Sequence, residues 1–315
     1  MQQMSNTEIN RLMGEMYNTF SQLPVSAGEF LYEKISENMR GRNNTSLYCY
    51  EKFKEQWLKA AEMGVNVPQA SILEIGAGLP LGTGIFWNFV GAAKYTSVDK
   101  FMEVNLNDLW LQRFQSFIDL NLHNPAGFRI DSIIRRQNGS FYTNPDRLAL
   151  IQAPFEEMSF PDKSFDYVYS LATLEHVADV SGLLAKMHQI MADGAVGYHI
   201  MDLREHHTNL RHVPDKNTST DFLRYSKAEW EEKYPPGSPF YINRLRASDF
   251  RTLLEQAGFE IIECEVSVKM ELDDGIYQHI HPEFHHYAVE DLETLGVRIA
   301  CRKKAECYGT EVPGS

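Results

Sequence analysis

A glycine-rich segment at residues 72–84, ILEIGAGLPLGTG, constrains the fold more than any other part of the sequence. Its apolar beginning predicts a buried strand, and the overlapping GTGIFWNFVGA predicts a helix. The residues GAG that follow the strand carry no bulky side chain, so the backbone can bend tightly and approach a ligand closely. In open α/β sheets, ligands bind at the carboxyl ends of the strands. The segment therefore predicts a ligand-binding turn in an α/β fold.

Short apolar runs alternate with helical segments from residue 71 onward. This alternation is typical of a parallel sheet whose strands are joined by crossover helices. Two further helices are predicted, VSGLLAKMHQIMADG, which we expect to end at Gly194, and ASDFRTLLEQAGF, which we expect to end at Gly258. The predicted strands, in chain order, are SILEIG, YTSVDK, LALIQA, SFDYVYSLA, AVGYHIMDL, EIIECEVSV and LGVRIACRK.

The first 70 residues differ from this pattern and predict helices only. Apolar residues recur there at helical spacing, for example Ile9, Leu12, Met13 and Met16. We expect residues 1–70 to form an N-terminal helical lobe that packs on the main domain. Such a lobe could also act as a lid on the ligand site.

Residues 71–315 are expected to form one α/β domain with two long insertions, at residues 203–243 and 270–290. Each insertion follows a predicted strand, so both can reach the same edge of the sheet. Long irregular connections in compact domains are usually functional. We therefore expect the insertions to contribute to the ligand site.

Composition excludes several classes of protein. The 315 residues carry a formal net charge of −13 and no long basic cluster, which disfavours a nucleic-acid substrate. No apolar run is long enough to cross a membrane, and the N-terminal segment lacks the apolar core of a signal peptide. The four cysteines are scattered, which is typical of a reducing compartment. We predict a cytoplasmic protein that binds neither nucleic acid nor membranes.

The glycine spacing narrows the class of ligand. A dinucleotide-binding turn has glycine or alanine three residues after its second glycine, whereas Leu81 stands three residues after Gly78 here. A pyrophosphate clamp is therefore disfavoured. Asp99 ends the second predicted strand, where an acidic side chain can accept hydrogen bonds from both hydroxyls of a ribose. The alternative is a structural turn accompanied by a surface aspartate.

Four motifs follow one another along the chain: ILEIGAG, YTSVDK, FEEMSFPDKSFDYVYSLATLEHV and MHQIMADGAVGYHIMDL. In this order they resemble the motif series of the class I S-adenosylmethionine-dependent methyltransferases, over roughly residues 65–305. The resemblance implies a Rossmann-like, doubly wound α/β fold with a seven-stranded sheet whose last strand is antiparallel. It also implies S-adenosyl-L-methionine as the cofactor.

The same resemblance implies eight cofactor-binding residues at the turn and at the strand ends. They are Glu74, Gly76, Ala77 and Gly78 at the methionine part, Asp99 at the ribose, Lys100 and Phe155 at the adenine, and Ser170 facing the methionine or the acceptor.

Transfer of an activated methyl group to an alcohol or phenol calls for a base that removes the acceptor proton. Histidine is the usual choice because its pKa lies near neutrality. His206 and Asp202 lie just beyond the fifth predicted strand, so we predict His206 as the base and Asp202 as the carboxylate that orients it. His207 and His176 are the alternatives, and His176 could equally be a structural residue at the start of a helix.

Arginines and histidines of the later part of the chain are candidates for contacts with the acceptor. Arg204, Arg244 and Arg246 could bind an acceptor carboxylate or phosphate, or could form ordinary salt bridges. His281 and His285 could form a polar wall of the acceptor site. Their spacing of four residues also suits a metal site, but no third ligand is fixed by spacing, so we predict no metal.

Together these patterns predict methyl transfer from S-adenosylmethionine to a small-molecule acceptor, at an oxygen of a sugar or of a secondary metabolite. N-methylation is an alternative that needs less of a base. A catalytically silent protein that binds S-adenosylmethionine and regulates a partner is another. A nicotinamide-dependent oxidoreductase is disfavoured by the leucine at position 81. A homodimer is compatible with all of these functions.

Overall fold

The computed structural model describes residues 46–102, 104, 106–206, 219–238 and 241–304. Most of the predicted N-terminal lobe and the candidate base His207 lie outside these residues. The described helices are α1 (Ser46–Glu62), α2 (Pro80–Phe89), α3 (Asp108–Asn121), α4 (Val180–Ile190), α5 (Lys227–Lys233), α6 (Ala247–Gln256), α7 (Asp274–Tyr277) and α8 (Val289–Leu292). The described strands are β1 (Ser71–Ile75), β2 (Lys94–Asp99), β3 (Ile134–Gln137), β4 (Ser140–Thr143), β5 (Leu148–Gln152), β6 (Phe165–Leu171), β7 (Met191–Asp202), β8 (Phe259–Lys269) and β9 (Thr294–Lys303). None of the described helices has the length and apolar character needed to cross a membrane.

Seven strands form one sheet in the order β5-β2-β1-β6-β7-β9-β8. β5, β2, β1, β6 and β7 run parallel, and β9 lies between β7 and β8, antiparallel to both. This confirms the predicted Rossmann-like, doubly wound fold with an antiparallel last strand. The strand order changes direction between β1 and β6, and the ligand crevice of such sheets lies at that switch point.

Helices cover both faces of the sheet because its central strands are apolar on both sides. α1, α2 and α3 pack on one face, around the buried rings of Phe53, Phe86 and Phe114. α4 and α6 pack on the other face, around Leu184 and Phe250. These two cores hold the carboxyl ends of β1, β2 and β6 in fixed positions.

The described parts of the two insertions pack against each other. β8 is antiparallel to β9 and therefore parallel to β7, so the segments after β7 and β8 leave the sheet at the same edge. That edge also carries the glycine-rich turn after β1. The segments share a small apolar core made of Phe222, Leu223, Trp230, Ile242, Ile280, Phe284 and Leu292.

The helix predicted to end at Gly194 ends earlier, so that prediction was wrong. α4 stops at Ile190, and Met191 is already the first residue of β7, paired with Phe165 of β6. Met191 is fully buried in the sheet core. A buried apolar residue at this spacing suits a helix and a strand equally, so the sequence pattern did not separate the two.

The sequence pattern assigns no element between β2 and β5, whereas the structure has α3 and the antiparallel hairpin of β3 and β4 there. Asn107 caps the N-terminus of α3, and its side chain accepts a hydrogen bond from the Trp110 amide at 2.8 Å. It buries Phe114 and Ile118, which lie four residues apart on one face. The cap and this spacing were readable signals for the helix.

Candidate active site

The turn after β1 passes very close to the end of β6. Gly76 has a φ of +73°, which residues other than glycine rarely adopt. A Cβ atom at this position would lie 2.1 Å from Cγ2 of Thr173. The Thr173 hydroxyl donates a hydrogen bond to the Gly76 carbonyl at 3.2 Å. A larger residue at position 76 would push apart the two strand ends that form the switch point.

Asp99 ties the end of β2 to the same turn. Its Oδ2 accepts a hydrogen bond from the Gly78 amide at 2.8 Å, and its Oδ1 accepts one from the Phe101 amide at 2.5 Å. These bonds fix the carboxylate beside the turn. Each carboxylate oxygen can accept a second hydrogen bond, so Asp99 is arranged to receive a pair of hydroxyl groups.

Two cavities meet at the turn and share four lining residues: Gly76, Asp99, Phe101 and Ala172. The first has a volume of about 370 Å³ and lies between the turn and α1; we call it the α1 cavity. The second has a volume of about 460 Å³ and extends from Lys100 to His176; we call it the His176 cavity. Both volumes are typical of ligand-binding pockets.

Glu74 lines the α1 cavity, and only 4% of it is exposed. The hydroxyls of Tyr95 and Tyr169 both donate to its Oε2, the latter at 2.8 Å. Burial raises the pKa of the Glu74 carboxyl to about 7; the tyrosine hydrogen bonds act against this shift, and the charge of Asp99 acts with it. The carboxyl therefore changes its charge near neutral pH. In its ionised form it would attract a cationic group of a ligand.

His176 lies on the wall of the His176 cavity, in a short 3-10 helix that follows β6. Its Nδ1 is 2.8 Å from the carbonyl oxygen of Tyr241. A carbonyl can only accept a hydrogen bond, so Nδ1 carries a proton and, in the neutral ring, Nε2 carries the lone pair. The first insertion, which supplies Tyr241, thus fixes the tautomer of the neutral His176 ring.

His206 and Asp202 form a second layer next to His176. The ring centroids of His206 and His176 are 5.1 Å apart, and Nε2 of His206 is 3.6 Å from Oδ2 of Asp202. Arg204 donates to the Asp202 carboxylate from Nε at 2.7 Å and from Nη2 at 2.5 Å. None of these second-layer residues lines the α1 cavity or the His176 cavity as the described residues form them.

Glu175 is a member of this layer that sequence reasoning missed. It is fully buried, and its Oε1 accepts a hydrogen bond from the Asp202 amide at 3.0 Å. Burial raises the pKa of the Glu175 carboxyl to about 8, and the charge of Asp202 contributes in the same direction. Its place beside His176 in LEHV was a usable signal, because acids and histidines with perturbed pKa values cluster at functional sites.

Comparison with known proteins identifies the family. A family model described as a methyltransferase domain matches residues 47–264, well over half of the chain. The chain belongs to the class I S-adenosylmethionine-dependent methyltransferase family. Its cofactor is S-adenosylmethionine. No curated protein matches the sequence.

The chain is also similar to several solved structures of methyltransferases. A proposed sarcosine dimethylglycine methyltransferase from Galdieria sulphuraria is 14% identical, with a TM-score of 0.43 over 81% of this chain and 86% of that chain. A proposed methyltransferase from Bacillus halodurans C-125 is 15% identical, with a TM-score of 0.41 over 79% and 98% of the two chains. An S-adenosylmethionine-dependent methyltransferase from Mesorhizobium loti is 15% identical, with a TM-score of 0.38 over 78% and 97%. At these identities the matches carry no information about the substrate.

The residues around the turn of this methyltransferase fit S-adenosylmethionine. A Cβ atom at Gly78 would meet no atom within 4 Å, which leaves space for the methionine part of the cofactor. The doubly fixed carboxylate of Asp99 suits the two ribose hydroxyls. Seven of the eight predicted cofactor-binding residues line the two cavities: Glu74, Gly76, Ala77, Gly78, Asp99, Lys100 and Phe155.

The His176 cavity is bounded by Phe155 and by the first insertion. Lys186 lies over the Phe155 ring, with its Nζ 5.3 Å from the ring centroid, and donates to the Phe155 carbonyl at 2.9 Å. Lys100 donates to the carbonyl of Gly237 at 3.0 Å. This bond links the end of β2 to the insertion, which therefore borders the His176 cavity.

Ser170, the eighth predicted cofactor-binding residue, is not brought to these cavities. It is fully buried in β6, and its Oγ is 2.9 Å from Nδ1 of His199 in the neighbouring strand β7. Burial lowers the pKa of His199 to about 4, so this imidazole is neutral at pH 7. The pair is a neutral polar contact inside the sheet of the methyltransferase.

The predicted acceptor-binding arginines have different surroundings. Arg246 is fully buried, and its guanidinium donates to the backbone carbonyls of Leu203, Asp291, Leu292 and Thr294. These bonds join the ends of β7 and α8 to the beginning of β9, which is a structural role. Arg204 holds Asp202, and Arg244 lines a separate cavity beside the insertions.

The histidines of the second insertion are engaged in local contacts. His281 precedes a 3-10 helix, and its Nδ1 accepts a hydrogen bond from the Glu283 amide at 3.3 Å. His285 stacks on Tyr277, with ring centroids 5.5 Å apart. Neither lines the two cavities at the turn. Across the described ranges, no three His, Cys, Asp or Glu side chains are placed to hold a metal ion.

Proposed function

We propose that this methyltransferase transfers the methyl group of S-adenosylmethionine to an oxygen of a small-molecule acceptor, a sugar or a secondary metabolite. The observation that carries the proposal is the position of His176, on the wall of a cavity that also contains Asp99 and the glycine turn. A neutral hydroxyl is a weak nucleophile, so its methylation benefits from a base at this place.

The cofactor supplies an activated methyl group on a sulfonium centre, so the protein must mainly hold the acceptor in line with it. Asp99 would bind the ribose, and Phe155 would contact the adenine. Glu74 lies in the α1 cavity, where its ionised carboxyl would attract the positive charge of the methionine part. The acceptor would occupy space left between these groups and His176.

In this proposal His176 takes the acceptor proton at Nε2 while Nδ1 keeps its bond to the Tyr241 carbonyl. His206 and Asp202, the base and the orienting carboxylate predicted from sequence, then act as positioning residues in the layer behind it. Asp202 also lies in that layer, with its Oδ2 3.6 Å from Nε2 of His206, where its carboxylate would orient that ring.

A methyl-transfer assay with radiolabelled S-adenosylmethionine tests the acceptor class. We would offer phenols and sugars in one series and amines of matched shape in another. Transfer to hydroxyl-bearing acceptors, with a rate that falls on the acidic side as the base is protonated, is the expected result. Transfer to the amines alone would contradict an oxygen acceptor.

The variant Asp99→Asn should bind S-adenosylmethionine about 10- to 100-fold more weakly, because it loses charge-assisted hydrogen bonds to the ribose. Calorimetric titration measures this directly. Asp108→Asn on α3 is the matched control, since that carboxylate is exposed and forms a surface pair with Arg136 at 2.6 Å. Equal affinity of the Asp99→Asn variant and the control would remove Asp99 from the ribose site.

Cofactor affinity should rise with pH between about 6 and 8, because the Glu74 carboxyl, with a pKa of about 7, must ionise to attract a cation. The direction of this pH dependence follows from the charge of the carboxyl. Below its pKa the carboxyl is neutral, so binding of the cationic cofactor must release a proton from it. The limiting slope is about tenfold per pH unit. Titration in buffers of different ionisation enthalpy measures the released protons.

Glu74→Gln is the control for this pH dependence, because the amide keeps the shape of the side chain and cannot ionise. This variant should bind S-adenosylmethionine without the attraction of an ionised Glu74, so its affinity should change little over the same pH range. If the variant retains the full pH dependence of the wild type, another group is responsible and Glu74 does not meet the cofactor charge.

A further inference from the structure

A third cavity, of about 390 Å³, lies between the beginning of α4 and the two insertions. Residues 241–245 form one of its walls and are tied to the segment after β6, since the Asn243 side chain donates to the carbonyls of Leu174 at 2.7 Å and Val177 at 3.0 Å. Only Ala178 and Asp179 line both this cavity and the His176 cavity. We call it the Arg244 cavity; none of the predicted cofactor-binding residues lines it.

Arg244 is held on the wall of this cavity in an unusual conformation. Its φ is +62°, a backbone region that residues other than glycine occupy at a cost and that clusters at ligand sites. Only 5% of the residue is exposed. Its Nη1 donates to the carbonyls of Phe222 at 3.2 Å and Tyr225 at 2.6 Å. One end of the guanidinium is therefore fixed by the first insertion.

Two aromatic rings lie beside the guanidinium. Its Cζ lies 5.6 Å from the ring centroid of Trp230 and 5.0 Å from that of Phe284. Contacts of this kind stabilise a cation without neutralising it. The hydrogen bonds of this guanidinium to the described residues both come from Nη1, so Nε and Nη2 remain able to donate to a ligand.

The charge of Arg244 is not matched by a close carboxylate. Among the described residues, no acidic oxygen lies within 4 Å of its guanidinium nitrogens. Burial lowers the pKa of the guanidinium, and the more distant charges of Glu283 and Glu231 only partly oppose that effect. A buried cation is costly unless an anion pairs with it.

The two nearby acids are already engaged with another residue. Oε2 of Glu283 accepts a hydrogen bond from the Lys227 amide at 2.8 Å, and Oε1 of Glu231 is 3.8 Å from the Lys227 Nζ. The Arg244 cavity thus offers one oriented cation, with two carboxylates at its rim that would repel a doubly charged ligand.

We propose that the Arg244 cavity is a binding site for a small organic monocarboxylate with an aromatic or apolar body. The planar guanidinium matches a carboxylate, and the rings of Trp230, Tyr241, Phe284 and Tyr287 line the space for the body of the ligand. The rim carboxylates disfavour phosphate dianions. The site is separate from the cofactor turn, so the proposal holds whether or not the acceptor is an oxygen compound.

Calorimetric titration of the full chain with benzoate tests the proposal, with benzamide as the uncharged compound of the same shape. Benzoate should bind with a stoichiometry of one, and benzamide at least about tenfold more weakly. The Arg244→Gln variant should lose at least about tenfold in benzoate affinity. Arg251→Gln, an arginine on the exposed face of α6, is the matched control and should bind like the wild type.

A second variant separates the proposal from general damage to the fold. Glu231→Gln removes a repulsive charge from the rim and should tighten benzoate binding by about threefold. Titration with S-adenosylhomocysteine reports on the cofactor site in every variant and should stay unchanged. Absence of benzoate binding at about 10 mM, or equal binding of benzoate and benzamide, would overturn the proposal. Weaker binding by the Glu231→Gln variant would also overturn it.

Discussion

His176→Gln is expected to slow methyl transfer by about 10²–10⁴-fold, the usual loss when a general base is removed. Glutamine can still donate a hydrogen bond to the Tyr241 carbonyl, but it has no basic nitrogen to accept a proton. The dissociation constant of S-adenosylmethionine should stay close to the wild-type value, because His176 is proposed to act on the acceptor. Single-turnover rates and cofactor titration measure the two quantities separately.

The pH profile of the rate and variants of two other histidines also test whether His176 is the base. The wild-type rate should fall as the imidazole is protonated, and the acidic limb should disappear from the residual rate of the variant. His285→Gln is the control, because that side chain stacks on Tyr277 away from the cavities. His206→Gln should have a smaller effect than His176→Gln. The reverse order would return the role of base to His206, as the sequence pattern predicts.

Gly76→Ala is expected to abolish measurable binding of S-adenosylmethionine. Its new Cβ would lie 2.1 Å from Cγ2 of Thr173, so the turn or the end of β6 must move. The left-handed backbone at this position adds a strain of about 1–2 kcal/mol for a residue that has a Cβ. Calorimetric titration measures the loss, and circular dichroism and the melting temperature report whether the variant is folded.

Two variants identify the cause of that loss. Gly194→Ala has the same backbone strain, with φ at +75°, but open space around the new Cβ, and should bind the cofactor normally. Gly76→Ala combined with Thr173→Gly removes the clash and should recover part of the affinity. A Gly76→Ala variant that binds normally would show that the switch point tolerates a side chain and that the close contact is unimportant.

Local patterns in the sequence determined much of the fold and of the cofactor site. The strand with its GAG turn and the strand that ends at Asp99 are short segments whose apolar runs and glycines carry their own signal. In a parallel sheet the carboxyl ends of such strands meet at one edge, so strand order alone brought Asp99 to Gly78. The other predicted cofactor-binding residues beside the turn could be placed at the cavities for the same reason.

The arrangement of the histidines around the candidate base depends on contacts between distant parts of the chain, which a local sequence pattern does not show. His206 lies close to a strand end in sequence, yet it is His176 that lines the cavity. The tautomer of His176 is set by the carbonyl of Tyr241, 65 residues away in the first insertion. Which of the two histidines lines the cavity therefore depends on how the first insertion packs, which the sequence does not show.

The surroundings of the two arginines in NRLR could not be predicted from the local sequence either. Arg244 and Arg246 are two residues apart in NRLR and were equivalent candidates for the acceptor site. Arg244 has a left-handed backbone and lines the cavity beside the insertions, while Arg246 is buried among the carbonyls that follow β7 and precede β9. The sequence pattern does not show which of the two guanidiniums lines a cavity and which is buried among carbonyls.

Calorimetric titration of the purified chain with S-adenosylhomocysteine and with NAD, each in a separate experiment, tests the central claim most directly. Saturable binding of one S-adenosylhomocysteine per chain, weakened in the Asp99→Asn variant and absent for NAD, is the predicted result. Binding of NAD without binding of S-adenosylhomocysteine would contradict the assignment of the turn and its two cavities to S-adenosylmethionine.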